Sequence, residues 1–66
     1  MHITVTGEDA KKAYNYLSSI IYYANKLREH FEEQEEVIIV DGKTFVSQLH
    51  DLSDDFHAFD ELSDRW

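Results

Sequence analysis

From Phe45 to Trp66 the apolar side chains Phe45, Leu49, Leu52, Phe56, Phe59, Leu62 and Trp66 follow one another at steps of 4, 3, 4, 3, 3 and 4. Steps of three and four residues place successive side chains along one stripe of an α-helix. The spacing therefore predicts an amphipathic helix over 44–64. The first half of the chain carries a similar stripe, formed by Ala10, Ala13, Tyr14, Leu17, Ile20, Ile21, Ala24, Leu27 and Phe31. It predicts a helix over 8–33. Ahead of it, Thr6-Gly7-Glu8-Asp9 resembles a capping box in which Asp9 takes the place of the usual Glu or Gln.

The segments before each helix look different. Ile3 and Val5 alternate with His2, Thr4 and Thr6, the period of a half-buried strand. Val37-Ile38-Ile39-Val40 is an unbroken β-branched run that suits a strand covered on both faces. Gly7 and Gly42 each separate a strand-like run from a helical one. The expected fold is a small mixed α+β domain in the order β-α-β-α, two long amphipathic helices against a short sheet. Its two strands would run parallel with a right-handed crossover. The alternative order is β-α-β-β-α, in which Val-Asp-Gly-Lys forms a hairpin turn and 43–46 a third strand.

With 66 residues and no cysteine, one small domain is expected, without disulfides or thiolate metal sites. Small scaffolds of this size commonly complete their cores by oligomerising. Tyr16, Ile20, Tyr23 and Leu27 also widen the first stripe beyond what one neighbouring helix needs. Both features predict a homodimer. No stretch reaches the roughly 18 apolar residues of a membrane span, and Met1-His2-Ile3-Thr4-Val5 lacks the basic start of a signal peptide. A cytoplasmic setting is the expectation.

Fourteen acids against six bases give a formal charge of -8. Such a surface repels nucleic acid and anionic membranes and attracts basic proteins. Two groups of acids carry the charge: Asp51, Asp54, Asp55, Asp60, Glu61 and Asp64 on the second helix, and Glu29, Glu32, Glu33, Glu35 and Glu36 at the end of the first. Six carboxylates along roughly 20 Å of helix approach the phosphate spacing of a DNA strand, about 3.4 Å. The second group opposes the helix dipole, an unfavourable local choice of the kind found at functional positions. Tyr22 falls off the apolar stripe, where it could anchor an interface. His50, Asp54, His57 and Glu61 form an i, i+4, i+7, i+11 ridge, read as solvated polar residues rather than a metal site.

No glycine-rich phosphate loop, His-Glu-x-x-His or nucleophile elbow is present, so neither catalysis nor a cofactor is expected. Two functions remain. The first is a DNA-mimic inhibitor of the kind phages and mobile elements use, occupying the basic nucleic-acid-binding surface of a host protein in replication, transcription, repair or defence. The second is an interaction or assembly module, such as an antitoxin or regulatory subunit, acting through its apolar helix stripe.

Overall fold

The computed structural model describes residues 2–33 and 36–66, and these form two helices, α1 (Gly7–Glu29) and α2 (Gly42–Ser63). Thr6 caps α1: its backbone is extended, and its hydroxyl oxygen accepts from the Asp9 amide at 3.3 Å. Glu8 and Asp9 place negative charge in the first turn, and Lys26 and Arg28 place positive charge in the last. Each suits the helix dipole. Asp41 precedes α2 and accepts from the Thr44 hydroxyl at 2.7 Å.

The expected α+β fold is not what forms, in either strand order. Among the described residues there is no strand, and 43–46 belongs to α2. Geometry explains this. Twenty-three helical residues separate the two β-like runs by roughly 35 Å, at about 1.5 Å per residue. Phe45 and Gln48 meet His30, so the chain turns back at the end of α1 and the run 37–40 stays there, while residues 2–6 precede the other end of that helix, too far away to pair. The run expected to be covered on both faces is not: Val37 and Ile39 are exposed, Ile39 at 95%, while Ile38 and Val40 are half-buried.

The helices run antiparallel. Asp9 meets Arg65 and Trp66 at one end, and His30 meets Phe45 and Gln48 at the other. The positions turned inward on α1 are Asp9, Ala13, Tyr16, Ile20, Tyr23, Leu27 and His30. On α2 they are Phe45, Gln48, Leu52, Asp55, Phe59, Leu62 and Trp66. Both sets follow an unbroken alternation of three- and four-residue steps, the heptad spacing that lets two helices pack side by side.

This seam differs from the apolar stripes read in the sequence. Gln48 and Asp55 take the places expected for Leu49 and Phe56. Tyr16, Ile20, Tyr23 and Leu27, expected to be the surplus of the first stripe, lie in the seam instead. Tyr14, Leu17, Ile21 and Phe31 are the large members of that stripe left exposed.

The resulting core is slight. Among the described residues Ala13 and Leu62 are its buried apolar members, and no large side chain is fully enclosed. The molecule is a rod of 46 × 22 × 17 Å with a radius of gyration of 15.4 Å. A compact domain of this length would have a radius near 11 Å, by the usual scaling of about 2.2 N^0.38 Å. Leu62→Ala is expected to cost about 2–3 kcal/mol, the lower part of the range for buried leucine truncations. Urea unfolding followed by circular dichroism measures it. A loss below roughly 0.5 kcal/mol, the range of ordinary surface changes, would show that α2 does not pack through this face.

Candidate interaction surfaces

Each helical residue turns the chain by about 100°. Because α1 and α2 run antiparallel, the residue following each seam position falls on the same side of the hairpin for both helices. The preceding residues fall together on the opposite side. The hairpin thus has two broad faces, and the sequence makes them chemically distinct.

On the following side α1 places Ala10, Tyr14, Leu17, Ile21, Ala24 and Arg28, with Phe31 in the turn after it, and α2 places Val46, Leu49, Ser53, Phe56, Asp60 and Ser63. Seven large apolar side chains of this face are exposed, from Leu17 at 42% to Tyr14 at 73%. The T-shaped contact between Phe31 and Phe45, with ring centroids 6.1 Å apart, ties the face to the seam at the connector end.

The preceding side is polar. Lys12, Ser19, Tyr22, Lys26 and Glu29 of α1 share it with Asp51, Asp54, Ala58, Glu61 and Arg65 of α2. Lys12, Ala58, Glu61 and Arg65 line one shallow cleft there. Lys12 pairs with Glu8 at 3.7 Å and Lys26 with Glu29 at 3.9 Å, both largely exposed and contributing little stability. Tyr22 lies on this face, edge-on to Tyr23 at 5.2 Å, with the Lys26 ammonium 5.5 Å from its ring centroid.

The acids expected to form one surface are therefore distributed. Asp51, Asp54 and Glu61 share the polar face with three basic residues. Asp55 is half-buried in the seam, Asp60 borders the apolar face, and Asp64 follows α2 as its C-terminal cap. Glu29 ends α1, and Glu32, Glu33 and Glu36 lie in the connector; Glu35 is outside the described residues. Glu29, Glu32 and Glu33 face Val37 and Ile39 across an open cleft of about 410 Å³. Among the described residues no group of three or more His, Asp or Glu side chains is placed to hold a metal, the His50–Glu61 ridge included.

Polar contacts close both ends of the seam. Asp9 is buried, its side chain only 9% exposed, and its carboxylate takes the Arg65 guanidinium at 3.6 Å and the Trp66 indole N–H at 3.4 Å. His30 Nε2 meets Gln48 Oε1 at 2.7 Å. Trp66 belongs to the apolar stripe read in the sequence, whereas Asp9, His30, Gln48 and Arg65 carry no apolar signal and were given no place in the helix contact. The heptad register, which lists Asp9, His30, Gln48 and Asp55 alongside the apolar seam residues, is the signal that could have found them.

Within the seam the Tyr23 hydroxyl is pushed up in pKa, first by the negative charge of Asp51, then by partial burial, Asp55 and Tyr22. Asp41 is held below the usual carboxylate range, chiefly by the Thr44 hydroxyl and further by the nearby amides of Lys43 and Thr44 and the charge of His30; partial desolvation opposes this. Comparison with known protein families, with curated proteins and with solved structures finds no match.

The raised Tyr23 pKa fixes a sign for alkaline stability. Its contribution is fully present below the unfolded tyrosine value, about 10, and is lost as pH rises through the higher folded value. Thermal unfolding above that pH is expected to show a smaller fall in Tm for Tyr23→Phe than for the wild type. Equal falls in the two proteins would remove Tyr23 from the acidic side of the seam.

Proposed function

We propose that this chain is a non-catalytic interaction module that works by docking the apolar face of its helical hairpin. The observation that carries the reading is the continuity of that face: Tyr14, Leu17 and Ile21 of α1 and Val46, Leu49 and Phe56 of α2 are exposed on one side of one hairpin. The largest apolar patch of an ordinary monomer is about 300–600 Å² and is often functional. Here seven half-exposed large side chains, at roughly 150–250 Å² for each fully buried aromatic and somewhat less for each aliphatic, present roughly 600 Å².

The charge then has a supporting part. A formal charge of -8 keeps a molecule with so much exposed apolar surface soluble, and it steers encounters with basic partners. The DNA-mimic reading draws its support from the exposed Asp51, Asp54, Glu61 and Glu29 on the polar face. Lys12, Lys26 and Arg65 interrupt that group, while Asp55 and Asp60 face elsewhere. The density of carboxylates on any one face is therefore below what the count along α2 suggests, and the docking reading is the better supported.

Salt separates the two. Ion pairs between exposed groups are screened beyond about 8 Å at physiological ionic strength, and more strongly at higher salt; an apolar contact is not. A tagged protein is expected to retain its partner from lysate at high salt, to lose it on Ile21→Glu, and to keep it when Asp51, Asp54 and Glu61 are changed together to Asn, Asn and Gln. Loss of the partner on the triple change or in high salt, with Ile21→Glu harmless, would favour mimicry and end the docking reading.

A further inference from the structure

We infer that the occupant of the apolar face is a second copy of this chain, so that two hairpins close into a four-helix bundle; this rests on the docking reading above. The first ground is the core. Among the described residues, one hairpin buries two apolar residues and fully encloses no large side chain. A chain of 66 residues with no disulfide cannot offset the conformational entropy of folding with so little burial.

The second ground is area. About 600 Å² from each copy gives roughly 1,200 Å², the lower bound of a specific, stable interface.

The third ground is the pattern. The exposed residues repeat the heptad spacing of the seam one position later on both helices, and Leu49 and Phe56 stay outside while polar Gln48 and Asp55 turn in. A lone pair of helices gains nothing from that choice. A bundle does, because each helix then has two apolar neighbours.

Charge and size select an antiparallel arrangement. The face has two charged positions of opposite sign, Arg28 near the connector and Asp60 near the other end. A twofold axis at Ile21, perpendicular to the rods, lays the connector end of one hairpin over the open end of the other. Arg28 then reaches the level of the partner's Asp60 and the partner's Tyr14. Phe31 lies over the partner's Ala10, Leu17 over the partner's Ala24, and Ile21 over itself, as a twofold requires. Phe31 and Leu17 thus meet alanines, and Arg28 comes level with an acid.

The test is the mass of the full chain in solution, with variants on each face. Sedimentation equilibrium at high micromolar concentration is expected to give about twice the 7.8 kDa chain mass. Ile21→Glu is expected to give the single mass, and Tyr22→Glu, on the polar face, the doubled one. Because the chain has no cysteine, Ile21→Cys should oxidise to a disulfide-linked dimer in high yield and Tyr22→Cys should not. This second readout holds even if Ile21→Glu fails to fold. A monomeric wild type that still loses its lysate partner on Ile21→Glu would overturn the second copy and leave the docking reading intact. A dimer that Ile21→Glu leaves unchanged, while Ile21→Cys stays uncrosslinked, would overturn both.

Discussion

Everything in this molecule depends on a single line of contact, the heptad seam between Asp9–His30 on α1 and Phe45–Trp66 on α2. Two helices meeting along one line can bury one stripe each and no more. The seam therefore decides which side chains form the core and which remain for other uses. Its apolar centre is made by Ala13, Ile20, Leu27, Leu52, Phe59 and Leu62, with Tyr16 and Tyr23 along its length. The ends are closed by polar groups, Asp9 with Arg65 and Trp66, and His30 with Gln48. Such pairs contribute more to fixing one register than to net stability, because a shift by one turn would leave a buried carboxylate without its partners.

The register has a direct chemical consequence. Turning Gln48 and Asp55 inward leaves Leu49 and Phe56 on the surface, beside Tyr14, Leu17 and Ile21 of α1. One face becomes apolar and the other polar, with Asp51, Asp54, Glu61 and the three basic residues around them. The hairpin is thus amphipathic as a whole object, as a single helix can be. An object of that kind leaves its apolar side uncovered, and the proposed docking rests on this packing rather than on the net charge.

Both helices were legible in the sequence, to within four residues at every end, because three- and four-residue spacing over more than 20 positions admits no other regular structure. The Thr6 cap was legible for the same kind of reason, a local pattern with a local partner. The sheet was misread because Val37–Val40 and Ile3–Val5 have strand-like composition, while pairing depends on where the helix between them puts their ends. The seam register was misread on hydrophobicity. Leu49 and Phe56 are better core residues than Gln48 and Asp55 in isolation, and only the antiparallel pairing of two helices shows which offset aligns them. The acids read as one surface for a related reason: their count along the chain is visible in sequence, but the side each faces depends on that same register.

The seam register itself is the point to measure, by nuclear Overhauser contacts within one chain of a sample mixing labelled and unlabelled protein. Intrachain contacts are expected from the Tyr23 ring to Leu52 and Asp55, and from His30 to Phe45 and Gln48. Intrachain contacts from Tyr23 and Leu27 to Leu49 and Phe56 in their place would mean that α2 is rotated, with its apolar stripe already spent inside the hairpin and no apolar face left to dock.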